Sequence, residues 1–292
     1  MAARIVITGA SGQVGGFLAG EAARRGREVS ALTHKQWDIT DPAAAGRFVE
    51  AGDLVVNCAA YTNVDGAEAD PDAAYAINAA GPEHVAHACA RVGAHLVHIS
   101  TDYVFGGEQT HPYEVGDQTR PLSVYGRTKL AGELAVLAAL PDANIVRTSW
   151  VYTGGGGSDF VAVMRRLAAT DRIVEVVDDQ IGSPTYVEDL VGALLEVGDG
   201  HIREPILHAA NVGAVSRFEQ ARAVFSELGA DPERIRPVDT AHAARPAPRP
   251  AYSALSTAMS VQAGLTPLRP WRAALAEALA APVDGGPIPS TP

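Results

Sequence analysis

Tyr125 and Lys129 stand four positions apart in Tyr125-Gly126-Arg127-Thr128-Lys129-Leu130-Ala131-Gly132-Glu133. The stretch reads as the opening turns of a helix, on which residues four apart share a face. The spacing therefore sets a phenol beside an ammonium. A phenol titrates near ~10 in water, and an adjacent cation favours its phenolate. Such a tyrosine is a proton donor suited to an oxygen that gains charge as a carbonyl becomes an alcohol. Thr101 ends a strand-like run from His95 to Ser100 and offers a neutral hydroxyl to the same oxygen. Tyr-x-x-x-Lys also arises by chance on ordinary helices, so the elements around it must decide its meaning.

Arg4-Ile5-Val6-Ile7-Thr8 is a short β-rich run leading into Gly9-Ala10-Ser11-Gly12-Gln13-Val14-Gly15, after which helix-forming residues continue to Arg25. A strand, a glycine turn and a helix make a dinucleotide-binding opening. Gly9, Gly12 and Gly15, with Ser11, Gln13 and Val14 between them, would let the backbone approach a pyrophosphate at the positive end of the helix. The spacing is G-x-x-G-x-x-G, and glycines that merely tighten the turn are the competing reading. The second strand, Glu28 to Thr33, ends without the acid that would hold a ribose 2′-OH. His34 and Lys35 follow and suit a 2′-phosphate, which favours NADPH over NADH; a solvated Lys35 is the alternative. Asp38, followed by Ile39, is placed to meet the adenine edge.

Asp53 to Ala60 is almost continuously apolar, as a parallel strand covered on both faces is. It delivers Ala59, Ala60 and Tyr61 to the edge where ligands bind in such sheets. A helix is expected from Asp72 to Val92, and a further strand from Asn144 to Ser149, ending at Trp150. Beyond it lie a Gly154–Gly157 loop, a helix over Phe160–Ala169, a strand at 173–177, a helix over Val187–Val197, a short strand at 206–210 and a helix over Arg217–Leu228. Alternating strands and helices predict an α/β, doubly wound parallel sheet. Residues 1–150 are expected to form the dinucleotide-binding domain, with 173–200 returning to it. Residues 151–172 and 201–281 form a smaller C-terminal α/β substrate-binding part, and 282–292 a disordered tail. Arg245 and Arg249 offer positive charge to an anionic substrate.

The net charge of −11 argues against nonspecific nucleic-acid binding. No apolar run is long enough to span a membrane. The N-terminus runs straight into a strand, leaving no room for a signal peptide. Cys58 and Cys89 both sit in apolar segments and read as buried thiols, so a cytoplasmic protein is expected.

Taken together, Gly9–Gly15, Ala59-Ala60-Tyr61-Thr62-x-Val64-Asp65, Ser100–Phe105, Tyr125–Glu133, Arg147–Tyr152, Asp179–Tyr186 and Arg249-Pro250-x-Tyr252-Ser253 resemble the extended short-chain dehydrogenase/reductases. In detail they resemble the dTDP-4-dehydrorhamnose reductases among them, and the likeness spans most of the chain. It implies a Rossmann domain and Thr101, Tyr125 and Lys129 as the catalytic set, with Lys129 also holding the nicotinamide ribose. Thr101, Asp102, Tyr103, Trp150 and Arg249 would meet a nucleotide-sugar substrate. The implied reaction is hydride transfer to C4 of a 4-keto-6-deoxyhexose, giving dTDP-L-rhamnose. A 4-ketoreductase of another nucleotide deoxysugar and a non-catalytic NADP-binding regulatory subunit stay open as alternatives. Some relatives form a magnesium-bridged homodimer. Phe17 occupies the region of the early acid and only Glu188 suggests a later one, so a homodimer remains open and no metal site is assigned. Asp159 stands where many relatives carry Asn, a charge that would oppose a substrate diphosphate if it faced one.

Overall fold

Five short runs, Ile5–Thr8 (β1), Val29–Leu32 (β2), Leu54–Asn57 (β3), His95–Thr101 (β4) and Asn144–Thr148 (β5), lie side by side in the computed structural model. It describes residues 3–155, 157–200 and 202–281. Ile206–His208 completes a six-stranded sheet in the order Ile206–His208, β5, β4, β3, β1, β2, with every neighbouring pair parallel. All residues of β1, β3 and β5 are buried, so helices cover both faces and the strands carry no polar alternation. The strand order reverses between β1 and β3, and ligands bind in such sheets where that reversal opens a crevice at the strands' C-terminal ends.

Gln13–Arg24 (α1) follows the glycine turn. After the short helix Val64–Ala69 (α2), the helix expected from Asp72 to Val92 forms as one continuous run of Pro71–Tyr75 (α3), a π turn at Ala76–Ala80 and Gly81–Val92 (α4). Side chains set where it starts and where it widens. Asn63 caps α2 and Asp70 caps α3 through their side chains. The Asn78 side chain then holds the π turn, exchanging hydrogen bonds with both the N–H (2.8 Å) and the C=O (3.1 Å) of Tyr61. Such widened turns recur at functional sites.

Val124–Ala139 (α5) is capped by Ser123 and packs on α4 and the π turn. Gly132 allows this approach, since a Cβ there would lie 2.1 Å from the Asn78 carbonyl oxygen. Phe160–Ala168 (α6), Val187–Gly198 (α7) and Arg217–Glu227 (α8) follow. Of the stretch 173–200, α7 leans on α1 against the sheet, whereas Val174–Val177 pairs outside it with Ile235–Val238. Ile206–His208, read as part of the smaller unit, is the sheet's edge strand. The division of the chain is therefore less sequential than its motifs suggest. Residues 282–292, read as a tail, lie outside the described residues. Among the described residues no helix is long and apolar enough to cross a membrane.

One ion pair is sealed beneath the C-terminal ends of the strands. Arg147 on β5 holds Glu133 on α5 with two hydrogen bonds, Nε to Oε1 at 2.9 Å and Nη2 to Oε2 at 2.7 Å, and Ser100 Oγ donates to Oε1 at 2.5 Å. Both side chains are within 3% of complete burial. Removing one partner of such a pair leaves a dry, uncompensated charge. Glu133→Ala is therefore expected to lower unfolding stability by about 3–5 kcal/mol in urea titrations. A loss below about 1 kcal/mol, the range of exposed pairs, would show that the pair does not anchor α5.

Candidate active site

A cleft of about 660 Å³ opens at the C-terminal ends of β1, β3 and β4. On one side lies the glycine turn. Gly9 has φ +63°, and a Cβ on it would sit 2.7 Å from the Ala59 backbone. A Cβ on Gly15 would lie 2.4 Å from the Gly9 carbonyl oxygen. Helix α1 starts beside the cleft with no side-chain cap and no acid in its first turn, leaving positive backbone N–H groups for an anion. A dinucleotide fits this cradle. Gly9, Ser11, Gly12, Gln13 and Val14 line the cleft, as do His34, Asp38, Ile39, Ala59 and Ala60.

Three expected cofactor residues fall elsewhere. Gly15 packs beneath the turn, Tyr61 is held by Asn78, and the exposed Lys35 is outside the lining. His34 is thus the basic side chain that the structure brings to the adenosine end. Asp38 Oδ1 accepts hydrogen bonds from the Thr40 backbone N–H and hydroxyl, which hold its carboxyl below the usual range. Cys58 also lines the cleft, its thiol pushed up to about 12 by burial and therefore inert.

Thr101, Tyr125 and Lys129 all line this cleft. β4 delivers Thr101 at its last residue and the first turns of α5 present the other two. Their electrostatics differ from the simple expectation of a phenol softened by its lysine. The Lys129 ammonium donates to the Ile99 carbonyl at 2.6 Å. Burial raises the Tyr125 phenol well above the ordinary tyrosine value, and a hydrogen bond with Thr101 only partly offsets it. Burial also lowers Lys129 to about 8, against the pull of Glu133. Desolvation penalises the charged form of each and outweighs the charge placed beside it.

The other wall is built around Asp102. Its buried carboxylate accepts hydrogen bonds from the hydroxyls of Thr101 (3.0 Å), Ser149 (2.9 Å) and Ser253 (2.6 Å). Burial nonetheless leaves its pKa raised. Tyr103 packs edge-on against Tyr125, ring centroids 5.6 Å apart. Trp150 has φ +49°, the only positive φ of a non-glycine among the described residues. Its indole lies against Gly182, where a Cβ would be 2.4 Å from the ring. Such strain persists only where the surroundings impose it.

Arg249 does not reach the cleft lining. It clamps Asp65 with hydrogen bonds of 2.5 and 2.9 Å, which hold the Asp65 carboxyl down at about 2. Arg245 is also turned to Asp65, at 3.5 Å. Asp159 is bound by protein donors, and its Oδ2 accepts from Gln13 Nε2 of the cofactor turn at 3.3 Å. It caps α6 by accepting from the Ala162 N–H at 2.9 Å and accepts from the Thr153 N–H and hydroxyl at 3.1 and 2.8 Å.

Sequence reasoning missed Arg217, the arginine that lines the cleft. A signal existed: Arg217 is the first residue of α8, and a cation is unfavourable at a helix's positive end. Ser149 and Asn78 were missed as well, because their partners are far away in sequence. Among the described residues no cluster of three His, Cys, Asp or Glu side chains could hold a metal. Near Glu188, Asp189 and Glu277 are both paired with Arg269.

Comparison with known proteins places this geometry. The family model described as RmlD substrate binding domain matches residues 3–283. A dTDP-4-dehydrorhamnose reductase of Mycobacterium tuberculosis is 64% identical over 285 residues, covering 96% of this chain and 94% of that protein. The enzyme of the same name from Mycolicibacterium smegmatis is 62% identical over 296 residues, covering 100% and 90%. The crystal structure of dTDP-4-dehydrorhamnose reductase from Bacillus anthracis in complex with NADP superposes with a TM-score of 0.89 at 37% identity, covering 95% and 98%. With matches that run almost from end to end on both sides and the RmlD substrate binding domain model over 3–283, the chain belongs to the dTDP-4-dehydrorhamnose reductase family.

Proposed function

We propose that this protein reduces the C4 ketone of dTDP-4-dehydro-6-deoxy-L-mannose to dTDP-L-rhamnose with NADPH. One observation carries the reading: Thr101, Tyr125 and Lys129 share a single cleft with the uncapped start of α1 and its glycine turn. The 64% identity to a reductase of that name supports the substrate, and the NADP complex of the Bacillus anthracis structure supports the cofactor.

The glycine turn and the α1 N-terminus hold the cofactor's diphosphate, and His34 favours a 2′-phosphate at the adenosine end. When bound, the reduced nicotinamide supplies the hydride. Lys129 secures the nicotinamide ribose and keeps a positive charge near Tyr125. Thr101 and Tyr125 fix the carbonyl oxygen between two hydroxyls, so the alkoxide that forms there is met by donors already in place. Tyr125 gives that oxygen its proton and later regains one from solvent. Its raised pKa keeps the phenol fully protonated at neutral pH, and an alkoxide is a strong enough base to take the proton. Tyr103 and Trp150 wall the sugar side. Asp102 positions Thr101, and Arg249, through Asp65, fastens the 241–252 segment beside Tyr103. Of the smaller unit proposed from the sequence, residues 151–172 and 201–281, the start of α8 and the segment around Ser253 reach this wall.

The decisive assay supplies NADPH and the ketosugar and follows both NADPH oxidation and dTDP-L-rhamnose formation; oxidation without that product would overturn the substrate assignment. Tyr125→Phe is expected to lower kcat by about 10²–10⁴-fold while NADPH binding, measured by titration, stays unchanged. Near-normal turnover would remove Tyr125 from the proton path. The pH dependence follows from Lys129, whose charged form is lost as pH rises through about 8. The value of kcat/KM for NADPH, which reports the free enzyme, should therefore fall across that range. An alkaline limb centred near ~10, the ordinary lysine range, would contradict the burial argument.

A further inference from the structure

Arg217 is not used by the chemistry above, yet it lines the same cleft. Its guanidinium lies 3.4 Å from the centroid of the Trp150 ring and 4.8 Å from that of Phe160. Both contacts hold a flat cation in one plane. A guanidinium carries five N–H donors. Among the described residues its side chain makes one hydrogen bond, from Nη1 to Gln220 Oε1 at 3.2 Å, and has no carboxylate within ion-pair distance. Asp102 and Asp159 are the nearest acids in electrostatic terms, but neutral donors occupy their oxygens. Burial draws the guanidinium down to about 10, against the opposing pull of Tyr103, Asp102 and Asp159. Every other arginine near the site is spoken for, Arg249 by Asp65 and Arg147 by Glu133.

From this geometry we infer that Arg217 is a recognition residue for the diphosphate of the nucleotide-sugar substrate, stacked on Trp150 and presenting its free N–H fork to phosphate oxygens. The inference rests on the nucleotide-sugar reading above. A cofactor diphosphate has the same chemistry, but its cradle is the glycine turn and the α1 N-terminus. Arg217 instead stands with Trp150, Tyr103 and Asp102 on the substrate wall.

The test is calorimetric titration of the intact protein with dTDP, UDP, thymidine and NADP⁺, using wild type, Arg217→Met and Arg217→Lys. Arg217→Met should weaken dTDP binding by about 10- to 100-fold, the worth of a charge-assisted hydrogen bond to phosphate. Thymidine and NADP⁺ should stay within about twofold of wild type, as expected for ligand parts the residue does not touch. Arg217→Lys should fall between the two, because it keeps the charge but loses the stacked fork. Unchanged dTDP binding in Arg217→Met, or an equal loss for thymidine, would reduce Arg217 to a packing role beneath Trp150. A loss confined to NADP⁺ would assign it to the cofactor instead. Preserved NADP⁺ affinity also shows that each variant is folded. Wild type that binds UDP and not dTDP would overturn the assigned base, while the Arg217 inference would then stand or fall on UDP. Wild type that binds neither would overturn the nucleotide-sugar reading itself.

Discussion

The site depends on a buried carboxylate that has no cation of its own. Asp102 takes hydrogen bonds from Thr101 at the end of β4, Ser149 just after β5 and Ser253 in the C-terminal segment. These are three separate stretches of chain, drawn to one point by the need to compensate a charge that is 2% exposed. A buried carboxylate is costly unless its lone pairs are filled. The cost is met only when the sheet edge and the substrate wall close together. That requirement fixes Thr101 relative to Tyr125, and it binds residue 253 to a cleft whose other half is built from residues 9–15. The same logic operates one layer deeper, where Glu133 needs Arg147 and Ser100. Asp102 and Glu133 thus frame Tyr125 and Lys129 from two sides.

Burial also inverts the expected electrostatics of the Tyr125–Lys129 pair. A lysine beside a tyrosine in water would lower the phenol. Here both groups are dry, so Tyr125 rises and Lys129 falls. The Ile99 carbonyl, not the phenol, receives the ammonium's hydrogen bond. A neutral phenol beside a cation held by a backbone dipole is a donor arrangement: the proton is present at neutral pH and leaves only towards a strong base. The developing alkoxide is such a base, whereas the ground-state carbonyl is not. Selectivity for the transition state follows from that difference rather than from an acidic tyrosine.

Much of this was legible in the sequence because it is local. Tyr125 and Lys129 share a helix face by spacing alone, and Gly9, Gly12 and Gly15 announce a turn between a strand and a helix. The apolar continuity of 53–60 marks a central parallel strand, as β3 is. What could not be read depends on long-range partners. Ile206–His208 is too short to declare its place at the sheet edge, and Val174–Val177 looks no different although it pairs elsewhere. The π turn at 76–80 exists because Asn78 is tied to Tyr61 and Thr128, a constraint that helical periodicity does not carry. Trp150's positive φ is likewise unannounced locally, and its ring is packed by Gly182 and Arg217 from distant parts of the chain.

The arginines show why charge counting along a sequence misplaces a binding site. Arg249 stands in a motif and carries the right charge, yet Asp65 consumes it. Arg217 stands in no motif and opens a helix where a cation is disfavoured, yet no acid among the described residues claims it. A protein with net charge −11 repels anionic ligands weakly at long range, because salt screens its surface beyond about 10 Å. Inside the cleft, screening is lost and local charge decides. There the uncapped start of α1, Lys129 and Arg217 face Asp102 and Asp38, whose oxygens are already bound by hydroxyl and backbone donors. Acids satisfied internally and cations left with free donors make a positive pocket in an acidic protein, and that asymmetry, rather than net charge, is what a doubly anionic ligand meets.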